Sequence, residues 1–242
     1  MYVYAPYRFY AGPNPLLIAA AVIPAVMLML YVYRADRLEK EPPALLLTLI
    51  FQGIVSTALA VYTERIGVRL LSSLLNPDTF LYQLIFNFLV VGLSEEGFKY
   101  LLLRRRTWNS PHFNCQFDGV VYAVFVALGF ALWENIDYVV MYGFGTAMVR
   151  AVTAIPGHAC FGVFMGAWYG LARAHENKGR PQYSRVCRRM AVLCPMLLHG
   201  LYDFIATVDQ TDPAFFFLGF IILMFLAAFF TIRRLSRQDK FI

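Results

Sequence analysis

Seven runs of mostly apolar residues, each close to the length needed to cross a bilayer, divide this sequence. They fall at about 15–33, 43–63, 79–103, 118–138, 147–172, 190–208 and 213–232. A transmembrane helix needs roughly 20 such residues. The chain is therefore expected to be an all-α, polytopic membrane bundle of about seven helices. Composition agrees. Of 242 residues, 60% are hydrophobic and 15% charged, with a mean hydropathy of +0.57. Soluble domains run about 45–50% apolar and about 25% charged, and a soluble chain this apolar would expose large adhesive patches. Disorder is excluded by the hydrophobicity. A disulfide-stapled secreted domain is excluded because four cysteines are too sparse. The connections are short, with no internal repeat or low-complexity tract, so residues 1–242 are read as a single membrane-embedded domain.

Lysine and arginine give the orientation. The first connection carries Arg34, Arg37 and Lys40; the third, Arg104, Arg105 and Arg106. The fifth carries Arg173, Lys178, Arg180, Arg185, Arg188 and Arg189, and the tail carries Arg233, Arg234, Arg237 and Lys240. The alternate side holds only Arg8, Arg65, Arg69 and Arg150. This alternation places the N-terminus outside and the C-terminus in the cytoplasm of a multi-pass cell-membrane protein. The net charge of +6 is thus expected to meet an anionic leaflet rather than nucleic acid, since no basic stripe with interleaved aromatics is present. The N-terminal segment lacks the layout of a cleaved signal peptide. Cys115, Cys160, Cys187 and Cys194 show no CxxC spacing and read as buried small apolar residues.

Ionisable groups at bilayer depth cost several kcal/mol unless they face a polar interior, so each is a functional candidate. The third run holds Glu95, Glu96 and Lys99, the fourth Glu134 and Asn135, the fifth Arg150 and His158, the sixth His199 and Asp203. Helical spacing sets Lys99 within reach of both glutamates, while the glutamates themselves diverge by about 100°. His199 and Asp203, at i and i+4, project together, as two metal ligands or as an imidazole with its orienting carboxylate. Pro156 removes a backbone hydrogen bond and is expected to loosen the helix before His158. Singly, each group could be an interhelical ion pair or a packing residue. Together, four consecutive runs bring acids or imidazoles to buried depth, which structural glue alone does not require. Asp118 and Asp137 lie near span ends and read as solvated at the interface, as do His112 and His175 in loops.

No GxSxG, no nucleophilic cysteine motif and no HExxH is present. The groups at hand suit hydrolysis by water activated on a carboxylate. The ordered set EExxK (Glu95, Glu96, Lys99), FxxxE (Phe130, Glu134), Pro156-Gly157-His158 and HxxxD (His199, Asp203) resembles the PrsW family of intramembrane proteases, relatives of the CAAX prenyl endopeptidases and bacteriocin-processing membrane proteases. The Asp36–Pro42 stretch DRLEKEP and Phe117-Asp118-Gly119 are similar to that family too, so the likeness runs from about residue 30 to 205. It implies an endopeptidase cutting a membrane-anchored protein substrate, anti-sigma-factor-like in the family archetype. It implies Glu95 or Glu96 as the water-activating base, Lys99 setting their charge state, and Glu134 completing the polar cavity. His158, His199 and Asp203 follow as metal ligands or oxyanion donors. Zinc and a metal-free glutamate mechanism both stay open.

One feature strains this grouping. At about 1.5 Å per residue, straight helices separate Glu134 from Glu95 and Glu96 by about 10 Å in depth. A proton-coupled transporter or channel would also use buried Glu, His and Asp groups, although matched halves are missing. A purely structural membrane protein is the third reading. The Gly162–Gly166 GxxxG spacing could pack helices within or between chains.

Overall fold

In the computed structural model, which describes residues 15–207 and 213–242, the chain is helical almost throughout. The elements are α1 (Pro15–Ala35), α2 (Pro43–Leu74), α3 (Phe80–Ile85), a π-helical segment (Phe86–Gly92), α4 (Leu93–Thr107), α5 (Asp118–Tyr142), α6 (Phe144–Val152), α7 (Ala154–Asn177), α8 (Pro181–Thr207) and α9 (Pro213–Arg237). Arg8 lies outside the described residues. Among the described residues, six helical stretches are long and apolar enough to cross a membrane: α1, α2, α5, α6 with α7, α8 and α9. The protein is a multi-pass membrane protein. The remaining expected span is helical from Phe80 to Thr107, about 42 Å, but carries the charges of α4.

Three boundaries differ from the hydropathy pattern, each for a local reason. α2 runs past residue 63 to Leu74, so Glu64 lies inside the helix on its buried face with Gly53, Thr57 and Ala60. The expected fifth run is interrupted just before His158, where Pro156 is expected to loosen it. The chain breaks at Thr153, whose φ of −120° and ψ of −73° leave the helical region, and Pro156 falls in the first turn of α7, where its missing N–H costs nothing. The third run is not regular: Phe86–Gly92 is a π-helical segment, a feature frequent at functional sites.

α5 is the centre. Nearly every residue from Asp118 to Ala131 is buried, and α5 packs against α1, α2, α4, α6 and α7. Glycines set the spacing. A Cβ on Gly53 of α2 would sit 2.7 Å from the Phe130 nitrogen, and one on Gly162 of α7 would sit 2.9 Å from the Ala127 side chain. Gly166 and Gly170 likewise press on the Gly119 and Gln116 carbonyls. The Gly162–Gly166 spacing therefore packs α7 on α5 within this chain. Gly92 meets the Met196 carbonyl of α8, and Gly200 of α8 meets Phe88 of the π-helical segment, so that segment and α8 nearly touch just before the charges of α4.

The arginine-rich end is fastened by the tail. Ile242 donates to the Asn114 carbonyl (2.7 Å), Gln116 to the Lys240 carbonyl (3.2 Å), and Phe117 to Asp239 Oδ1 (2.9 Å). Asp118, expected at a wetted interface, is instead 1% exposed, its Oδ2 accepting the Asn114 and Cys115 N–H groups. The loop amides replace the water that an interface would have supplied. Asp36 and Glu41 are buried beside it. Two of the stretches that carried the family likeness, 36–42 and 117–119, thus meet here, away from α4. The four cysteines are free; three are buried, and Cys194 is half-buried.

Burial pushes the Glu41 carboxyl up to about 7 and that of Asp36 to about 6, with neighbouring acids adding to the rise in both. The folded state then holds protons that the unfolded chain releases from about pH 4.5 upward. Stability from these groups is present at low pH and is lost as pH rises through about 7. Thermal melting in detergent is expected to show wild type losing several degrees relative to Asp36→Asn/Glu41→Gln between pH 5 and pH 8. A wild-type-minus-variant difference constant across that range would contradict it.

Candidate active site

Four helices converge on Lys99. α4 carries Glu95, Glu96 and Lys99; their side chains are 6%, 0% and 0% exposed as residues, a placement that ionised groups survive only when paired. The Lys99 ammonium lies 3.1 Å from Glu95 Oε2, 2.7 Å from Glu96 Oε1 and 3.2 Å from His158 Nδ1. It also stands 3.8 Å above the Phe130 ring of α5, a cation–π contact. Lys99 can only donate, so His158 Nδ1 accepts and the proton of His158 sits on Nε2. That N–H donates to Glu134 Oε2 at 2.9 Å. Glu134 in turn lies 2.9 Å from Arg150 Nη2 of α6, whose Nε donates to Asn135 Oδ1 at 2.9 Å. The Asn135 amide donates to the Ala21 carbonyl at 3.1 Å, which ties α1 to the chain of contacts.

From α8, His199 Nδ1 lies 2.9 Å from Glu96 Oε1 and 3.8 Å from Glu95 Oε2. His199 Nε2 lies 3.4 Å from Asp203 Oδ2. The imidazole stacks on Phe161, with ring centroids 4.6 Å apart, and meets His158 edge-on at 5.2 Å. The arrangement follows from the local sequence. Starting α7 at Ala154 puts His158 in its second turn, facing α4. The π-helical segment ends at Gly92, where α8 approaches closely enough for His199 to reach Glu96.

All nine residues singled out in the apolar runs share this network. The depth conflict over Glu134 is resolved because Glu134 does not meet the α4 glutamates directly; His158 spans the gap. Glu95, Glu96, His158 and His199 each offer one ligand atom, all within 4.8 Å of one another. Asp203 stands beside this group, against His199, and the two glutamates complete it. Glu64 of α2 was missed. It is 8% exposed, its Oε1 is buried with no hydrogen-bond partner, and it lies within electrostatic range of Glu95, Glu134, His199 and Asp203. The signal was available: Glu64 continues the small-residue stripe Gly53, Thr57, Ala60 at i+3 and i+4 spacing.

The site is closed at its base and open above. Side-chain exposure is 0% for Glu96 and Lys99 but 21% for Glu134 and 26% for Asp203. Both exposed acids lie toward the end away from the arginine-rich loops. Glu96 stands 11 residues from the end of α4, about 17 Å; with the basic Arg104–Arg106 end of α4 set at the membrane boundary, this is mid-depth in a hydrocarbon core of about 30 Å. The donor set fits a divalent cation. Two carboxylates and two imidazoles are within reach of one ion, Glu96 Oε2 is buried without a partner, and five acids face only the two fixed cations Lys99 and Arg150. Lys99 now occupies the space among three of the donors and would have to withdraw from it.

A buried set of acids, imidazoles and one ammonium at mid-bilayer depth defines a polytopic membrane hydrolase. Residues 41–232 match the family described as PrsW family intramembrane metalloprotease. The chain is 31% identical over 222 residues to Protease PrsW of Oceanobacillus iheyensis, covering 92% of this chain and 97% of that one. It is 31% identical over 208 residues to Protease PrsW of Bacillus subtilis (86% and 90%) and 31% over 209 residues to Protease PrsW of Clostridioides difficile (84% and 84%). No solved structure matches. The chain belongs to the PrsW family of intramembrane proteases.

Lys99 has a measurable consequence. Removing one partner of a buried ion pair costs about 3–5 kcal/mol because a charge is left behind. Lys99→Met is expected to lose that much stability, and Lys99→Met/Glu96→Gln to recover part of it. A double-mutant cycle with no coupling between the two substitutions would contradict the pairing.

Proposed function

We propose that this intramembrane protease is an endopeptidase that cleaves a membrane-anchored protein, with Glu95 as the base that activates water. The observation carrying this is the difference between the two α4 glutamates. Glu96 Oε1 is held by both Lys99 and His199 and has no exposed side-chain surface, whereas Glu95 has one close partner and 8% exposure. Glu95 is the freer carboxylate and the one water can reach. A water hydrogen-bonded to it would give up its proton as it attacks the carbonyl carbon of the scissile bond. Lys99 compensates the pair, Glu96 holds Lys99 and His199 Nδ1 in place, and the His199 Nε2–H, only 3.4 Å from Asp203 in the resting site, would turn from Asp203 to the developing oxyanion. Glu134 fixes the tautomer of His158 and the position of Arg150 at the open side.

With Lys99 withdrawn, Glu96, His158 and His199 would hold a divalent cation such as zinc beside Glu95; the cation when bound polarises a carbonyl and acidifies water, taking over the oxyanion role from His199 and leaving Glu95 as base. The mid-depth placement supports a substrate whose scissile bond enters the bilayer, hence a membrane-embedded segment. The basic loops support the orientation with the N-terminus outside and the open side of the site toward the outer leaflet. Residues 1–242 act as one unit, since Lys99, Glu134, His158 and His199 come from four helices spread over the chain.

Glu95→Gln is expected to lower cleavage of a single-pass reporter in proteoliposomes by about 10²–10⁴-fold, the range for a lost general base, with the melting temperature nearly kept. Wild-type cleavage by this variant would rule out Glu95 as base. Metal analysis of purified protein is expected to find about one zinc per chain, lost in Glu96→Ala/His199→Ala. Equal zinc in the variant would place any metal elsewhere.

A further inference from the structure

At the arginine-rich end, α4 and α8 border an open surface groove of about 480 Å³, lined by Tyr100, Arg104, Arg185, Arg188, Arg189, Val192 and Leu193, with Arg104, Arg185 and Arg189 exposed. That volume is in the range of small-molecule sites. None of the four arginines is ion-paired among the described residues. Uncompensated guanidiniums around one hollow repel one another and attract an anion. One of them is set in place by a ring contact. Arg188 lies over the Trp108 ring at 5.0 Å, and Tyr100, packed edge-on against Tyr169 at 5.9 Å, lies within electrostatic range of Arg104 and Arg188. The Tyr100 hydroxyl is buried and has no hydrogen-bond partner. It is a donor facing a cationic hollow, which an anionic oxygen would satisfy.

We propose that this groove binds the phosphate headgroup of an anionic phospholipid. A lipid fits better than a free phosphate because of what borders the arginines. On the side toward the bilayer centre, α8 exposes Leu193 and Leu197 (43% and 52%) and α4 exposes Leu101 (53%). An acyl chain would lie along this strip while the phosphate reaches Arg104, Arg188 and Tyr100. Basic hollows between transmembrane helices at this level recognise such headgroups by guanidinium–phosphate pairing. The ligand would join the basic ends of the two helices that carry Glu96 and His199. No residue of the groove belongs to the catalytic network.

The test uses the full-length protein in a neutral detergent, with bound lipid counted by native mass spectrometry and stability followed by thermal melting. Phosphatidylglycerol is expected to bind and raise the melting temperature, with phosphatidylcholine at least tenfold weaker. Arg104→Gln/Arg188→Gln is expected to weaken phosphatidylglycerol binding at least tenfold, and Tyr100→Phe by a smaller factor. Arg105→Gln/Arg106→Gln, which removes the same charge beside the groove, is expected to change it less than threefold. Equal losses in the two double variants would overturn the site in favour of general leaflet attraction. Inorganic phosphate giving the same Arg104- and Arg188-dependent stabilisation would overturn the lipid assignment in favour of a soluble anion. Equal binding of phosphatidylcholine would overturn the role of the arginines.

Discussion

The Lys99 ammonium is the interaction on which the interior depends. It is fully buried and touches Glu95, Glu96, His158 and the face of Phe130, which brings together α4, α5 and α7. Through Glu96 it also fixes His199 on α8. A lone cation in a medium of low polarity costs far more than any single contact returns, so each partner is required for the others to be tolerable. The consequence is a site that is closed at Glu96 and progressively more open toward Glu134 and Asp203. Such a gradient suits a catalyst that must position one carboxylate while admitting a chain and water from the other side.

That convergence relies on backbones coming unusually close. Gly53, Gly162, Gly166 and Gly170 let α2 and α7 press on α5, and Gly92 and Gly200 do the same for the π-helical segment and α8. In lipid there is little hydrophobic force between helices, so packing of small residues and polar contacts must hold them. The glycines supply the first and the buried network the second. Neither is sufficient without the other, because imidazole and carboxylate must come within about 3 Å to bond.

The helical class and the number of apolar runs were legible because bilayer thickness sets a length that composition alone can reveal. The site residues were legible because charge in an apolar run is costly and therefore conspicuous. Glu64 escaped for the opposite reason: it sits beside Arg65 where hydropathy falls, and only the continuation of α2 to Leu74 shows that it faces inward. Asp118 escaped because its burial depends on the Asn114 and Cys115 amides and the tail, contacts that no local pattern announces. The break at Thr153 was announced by Pro156 three residues on, whereas no local spacing marked the π-helical segment at Phe86–Gly92. The distance between Glu134 and the α4 glutamates could not be solved by counting residues, since it is His158, from a third helix, that connects them.

The helix from Phe80 to Thr107 also bears on how the chain is made. Six other stretches are apolar enough to partition into lipid unaided, but this one brings Glu95, Glu96 and Lys99, each costing about 3 kcal/mol at the centre of an inserting segment. Their imidazole partners, His158 and His199, are synthesised later, so the network is incomplete when the ribosome delivers these charges. Only the internal pairing of Lys99 with its own glutamates and the anchoring pull of Arg104, Arg105 and Arg106 are available at that moment. The segment must therefore wait at the translocon, or lean on α2, until the second half of the protein arrives to enclose it.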